Sequence, residues 1–96
     1  MDEHLLGLDS VVAQARARMF YLHDAPQDAE VRREVVRLVG AIVGHADREG
    51  WHALGDLAGP MVRLLATRRG DESVFEALDL ALGEIERLVH DRNAYS

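Results

Sequence analysis

The apolar positions of this 96-residue chain fall into four stripes with helical spacing. Leu5, Leu8, Val12, Ala15, Met19 and Leu22 recur at alternating steps of three and four, which places their side chains along one face of an α-helix. They predict a first helix over about residues 3–22, with Asp9, Gln14, Arg16 and Arg18 off the stripe. His23-Asp24-Ala25-Pro26 ends it, because a proline disfavours helical geometry in the residue before it and itself suits the first turn of a helix. Asp24 is then the expected N-cap of a second helix over about 26–48.

That second helix carries two apolar rows. Val31, Val35, Leu38 and Ile42 form one, and Val36, Val39, Val43 and Ala46 lie beside it. Asp28 and Glu30 near its start, and His45 and Arg48 near its end, match the helix macrodipole. The line through Arg33, Arg37 and Arg48 is expected to be solvated, with Glu30 and Glu34 spaced to pair with Arg33 and Arg37. So broad a stripe predicts neighbours on more than one side. Gly40 and Gly44 inside a helix together cost about 2 kcal/mol relative to alanine. Close approach of another backbone is the expected compensation, first from helix one or helix four, otherwise from a second copy. The G-x-x-x-G spacing has its strongest meaning in membranes.

Gly50 stands where a helix C′ residue belongs and Trp51 opens a new periodic segment at once, so helices two and three must lie antiparallel across a short turn. Leu54, Leu57, Met61, Leu64 and Leu65 mark helix three, about 51–69, closed by Gly70, with Trp51 expected in the core at the turn. Gly59-Pro60 interrupts the pattern: the proline offers no N–H to the Asp56 carbonyl, and a kink or break is expected there. Ser73-Val-Phe-Glu76 matches the S-x-x-E capping box and starts helix four, about 74–92. Val74, Phe75, Leu78, Ala81, Leu82, Ile85, Leu88 and Val89 share its broad apolar face; Leu80 falls off it. The tail from Asp91 is expected to fray. No strand-like alternation and no internal repeat is present. The prediction is a single all-α domain, 1–96, folded as an up-and-down bundle of about four helices.

Composition agrees: 48% apolar and 29% charged residues are a globular balance. Seventeen acidic residues against eleven basic ones give a formal charge of −6. The arginines are dispersed over Arg16 and Arg18, Arg32, Arg33 and Arg37, and Arg68 and Arg69, so no nucleic-acid partner is expected. Every basic residue is arginine, which excludes chemistry by an amine nucleophile. There is no cysteine, hence no disulfide, thiol chemistry or thiolate metal site. MDEHLLGLDS lacks the basic start and unbroken apolar stretch of a secretion signal. The longest oily run, Val35 to Ala46, includes Arg37 and falls well short of the roughly twenty residues of a spanning helix. A soluble, cytoplasmic protein without membrane attachment is expected.

The candidates for acid–base or ligand chemistry at neutral pH are His4, His23, His45, His52 and His90. The densest cluster, His45-Ala-Asp47-Arg-Glu49-Gly-Trp-His52, has two imidazoles and two carboxylates, but its spacing matches no metal-ligand pattern and lacks the Glu-x-x-His pairs of di-iron bundles. Ser10, Thr67, Ser73 and Ser96 belong to no nucleophile elbow, and no glycine-rich loop follows a strand. Neither enzymatic activity, nor a cofactor or metal, nor a small-molecule substrate is expected.

In general outline the chain resembles the histidine-phosphotransfer domains, small acidic helical bundles that present one exposed histidine in mid-helix. That resemblance implies His52 or His45 as the phosphate acceptor. The family usually follows its histidine with Lys at +3 and Gly at +4; here His52 is followed by Gly55 and Asp56, and His45 by Arg48 and Glu49, with Arg48 a partial substitute for the lysine. The leading expectation is different: a protein-interaction or oligomerisation module, a small adaptor or regulatory subunit, homodimeric through Val36, Val39, Gly40, Val43 and Gly44 of helix two and Leu80 of helix four.

Overall fold

A computed structural model describes residues 3–67 and 72–94, with the side chains of 7–67 and 72–92. Among them are four helices, α1 (Glu3–Asp24), α2 (Ala29–Glu49), α3 (His52–Ala66) and α4 (Glu72–Ala94), and no strand. They form an up-and-down bundle in which each helix packs against the two that adjoin it: α1 on α2, α2 on α3, α3 on α4, and α4 back on α1. Helices at opposite corners do not approach each other closely. The breadth of α2's apolar face follows from this plan, since its rows of valine, leucine and isoleucine are covered by α1 on one side and α3 on the other.

The predicted stripes are the core. Val12, Ala15, Met19 and Leu22 come from α1, Val35, Leu38, Val39, Ile42 and Ala46 from α2, Leu54, Ala58, Met61 and Leu65 from α3. Val74, Phe75, Leu78, Leu82, Ile85 and Val89 complete it from α4. None of the buried side chains among the described residues is polar or charged, so the interior is held by apolar burial alone.

The connections depart from the sequence reading in several places. Asp28, not Asp24, caps α2: its carboxylate accepts from the backbone N–H groups of Glu30 and Val31 at 3.1 and 3.2 Å, while Asp24 still belongs to α1. At the other end of α2 the expectation holds. Gly50 adopts a left-handed conformation at φ 65°, its N–H and that of Trp51 reaching the carbonyls of Asp47 and Ala46, the two bonds of a Schellman turn. Trp51 itself is half-buried and not in the core.

A kink in α3 is not shown. The helix runs on through Pro60, which is exposed and offers no N–H to the Asp56 carbonyl. The break in helical geometry lies elsewhere, at Gly7 of α1, where φ 60° and ψ −168° interrupt the first turns. α3 ends at Ala66, earlier than predicted; Thr67 Oγ1 donates to the Leu64 carbonyl and Arg32 Nη1 to the Leu65 carbonyl, so side chains take up its last acceptors. Gly70 lies outside the described residues. α4 already includes Glu72, which puts Ser73 inside the first turn and not before it. Its C-terminal part is helical to Ala94, where fraying from Asp91 was expected, and Arg92 is tied to α2 and Trp51.

Candidate protein-interaction site

The six positions expected to form an interface do not make one surface. Val39 is fully buried, and Val36 and Val43 are half-buried against the core. Gly40 is exposed and Gly44 half-buried, yet a Cβ on Gly40 would meet nothing within 4 Å and one on Gly44 only the tip of Arg48 at 3.6 Å. Among the described residues no backbone presses on either glycine, so the expectation that α1 or α4 packs against them is overturned. Leu80 is 73% exposed, but it sits on α4, at the corner of the bundle diagonal to α2.

The large apolar side chains that stand in solvent are Phe20, Tyr21 and Leu80, among the described residues. Phe20 and Tyr21 belong to α1, on the side turned away from its buried stripe. Taking 100° per residue, Ser10, Ala13, Gln14, Ala17, Phe20 and Tyr21 point away from the core residues Val12, Ala15, Met19 and Leu22. That face carries no charge between Ser10 and Tyr21, and its two polar side chains pair with each other, Gln14 Nε2 donating to Ser10 Oγ at 3.3 Å. The available signal was negative: once the buried stripe is removed, alanine, glutamine and aromatic residues remain where a solvated helix shows Glu, Lys or Arg.

The α1–α4 seam borders this face on one side. Arg16 bonds Asp79 at 2.8 Å and Glu86 at 2.6 Å, and His23 stacks on Phe75 with ring centroids 4.9 Å apart. Leu80 does not belong to this face: it points away from the α4 core residues Leu78, Leu82 and Ile85, on a line with Glu76, Glu84 and Arg87. The charged flanks of α1 are paired within the chain: Arg16 toward α4, and Arg18 toward α2 through Glu34 at 3.2 Å. Glu34 thus turns to α1 and not to Arg37. The Glu86 hydrogen bond, with the charges of Glu86 and Asp79, raises the pKa of Arg16 above the ordinary arginine range despite its partial burial.

Two of the surface clefts hold further polar chemistry. One, of about 410 Å³, is lined by Glu49, Gly50, Trp51, Leu88, Asp91 and Arg92, with Arg92 stacked 4.5 Å over the Trp51 ring and bonded to Glu49 at 2.9 Å. The other, of about 290 Å³, lies on the α1–α4 seam among Asp9, Val12, Ala13, Glu86, Val89 and His90. No group of three or more His, Asp and Glu among the described residues is placed to hold a metal ion, and His45, Asp47, Glu49 and His52 are not gathered. His45 is half-buried in the last turns of α2 and His52 is the exposed first residue of α3, so neither occupies the mid-helix position of a phosphotransfer histidine. His23 is exposed at the end of α1, and the His4 side chain lies outside those described.

No helix among the described residues is long and apolar enough to cross a membrane. Comparison of the chain with protein families, with characterised proteins and with solved structures finds no match, so its chemistry must be read from its own surface.

Proposed function

We propose that the chain is a protein-interaction module that assembles with itself, and that the surface it uses is the outer face of α1. One observation carries this reading: Phe20, 70% exposed, and Tyr21, 58% exposed, stand together on a face of α1 without charge, while each of the other helices turns charged residues outward. Exposed rings cost nothing special when scattered; grouped on an uncharged strip they are what a partner surface buries. In a protein of net charge −6, an uncharged strip is also where two copies meet with the least repulsion.

Light scattering over about 10 to about 500 µM tests this, a range matched to the weak affinity of a small interface. The expected result is a mass rising from 10.7 kDa toward twice that value, with Phe20→Glu and Tyr21→Glu held at the lower mass and with unchanged helicity. Ala41→Glu, at an exposed position of α2, should leave the wild-type behaviour intact. A mass of 10.7 kDa at every concentration overturns self-association.

A further inference from the structure

The α1 face is self-complementary, and this points to one way of pairing. We propose that two copies associate through α1 in antiparallel orientation about a two-fold axis passing by Ala17; the proposal rests on the self-association reading above. Along the outward line the residues run small, small, large: Ala13, Ala17, then Phe20 and Tyr21. In an antiparallel pair centred on Ala17, Tyr21 comes over Ala13 of the partner subunit and Phe20 beside Gln14 of the partner subunit. Large side chains thus meet small ones twice by symmetry, as an isologous contact requires. Ala17 on the axis lets the two helices approach closely, since its side chain is a single methyl group. A parallel pair would instead set Phe20 and Tyr21 against their own copies and leave both alanines facing an alanine, with a gap at one end and crowding at the other.

Charge favours the same partner and the same direction. Arg16 and Arg18, the cations bordering the strip, are already engaged by Asp79, Glu86 and Glu34. A charged foreign surface would find no free complement there, whereas a second uncharged strip needs none. The strip ends at Asp24, which in the antiparallel pair lies opposite the neutral Ser10, whereas in a parallel pair the two Asp24 carboxylates would face each other.

The absence of cysteine makes the test clean, because single cysteines can be introduced without background. Ala17→Cys, Ser10→Cys and Gly40→Cys, all at sites that are not buried, are oxidised mildly in the full-length protein and resolved without reductant. The expected result is that Ala17→Cys forms a covalent dimer at least roughly tenfold faster than the other two, because only Ala17 lies on the axis. As a second measurement Ala17→Glu, which sets two carboxylates together on the axis, should raise the dissociation constant by roughly tenfold or more with unchanged helicity. Linkage of Ser10→Cys as fast as Ala17→Cys overturns the antiparallel arrangement. Linkage of Gly40→Cys alone, or a concentration-dependent mass without linkage at Ala17, overturns the α1 pairing and leaves self-association standing. A wild-type mass fixed at the monomer value overturns both.

Discussion

Arg16 grips Glu86 with two nitrogens, Nη2 at 2.6 Å from Oε1 and Nε at 3.4 Å from Oε2, while its Nη1 reaches Asp79 at 2.8 Å. One guanidinium therefore spans two turns of α4 and closes the seam between the first and last helices. A lysine could not hold both carboxylates in the same plane. The side chain of Arg16 is 37% exposed, so water screens the pair, and the contribution stays near that of a good surface network, about 1 kcal/mol.

Arg16→Ala should lower stability by about 1 kcal/mol and Arg16→Lys by somewhat less. The pKa of Arg16 is raised by Glu86, so the folded state binds this proton more tightly than the unfolded state. Its contribution is fully present below the ordinary arginine range and is lost only as pH rises above it. Urea unfolding at about pH 6 and about pH 9 should thus give the same difference between wild type and Arg16→Ala. A difference that shrinks between those two values would contradict the assignment.

The helix glycines should behave oppositely to the turn glycine. Gly40 has open space around its missing side chain, so Gly40→Ala should stabilise the fold by about 1 kcal/mol. Gly50 is held at φ 65°, where a Cβ is strained, so Gly50→Ala should destabilise by about 1 kcal/mol. Thermal unfolding of the two variants beside wild type measures both signs. A Gly40→Ala variant that loses stability or dissociates would show that another chain does approach that glycine.

Pro60 offers a third measurement. It is exposed within an uninterrupted helix, so Pro60→Ala returns a donor to the Asp56 carbonyl without removing buried surface. Stability should rise by about 1 kcal/mol or more, the greater freedom of the unfolded chain offsetting part of the gain. An unchanged midpoint in denaturant would indicate that the carbonyl at Asp56 was already fully satisfied.

Trp51 reports on the end of α4. Because it is the single tryptophan and Arg92 covers its ring at 4.5 Å, Arg92→Ala should uncover it. Its emission should move to longer wavelength and its quenching by acrylamide should rise. Stability should fall by about 1 kcal/mol through loss of the stacking and of the Glu49 bond. Equal quenching in both proteins would place the Arg92 side chain elsewhere in solution.

The helices and the core were legible in the chain because burial imposes a period, and nearly every residue of the four stripes lies inside or against the core. Ala58 was missed because its small side chain gives a weak signal, although helix packing leaves it no exposed surface. Ends were less legible than stripes: Asp24 and Asp28 are equally good caps by type, and which one serves depends on how far α1 runs before turning. The breadth of α2 reads in the sequence as surplus apolar surface, whereas two neighbours in the same chain cover it. What remained uncovered was on α1, where alanines and aromatics in place of charges are visible only after the buried side of the helix has been set aside.

A ring in which each helix touches only its neighbours in order also has a kinetic consequence. Three of the four packing contacts join consecutive segments and need only short loops to close, a topology that favours rapid acquisition of the native state. Among the described residues the α1–α4 contact alone joins helices far apart in the sequence, the first and the last. Closing it last would leave Phe20 and Tyr21 on a helix that α4 does not yet hold, so that pairing through them follows completion of the fold.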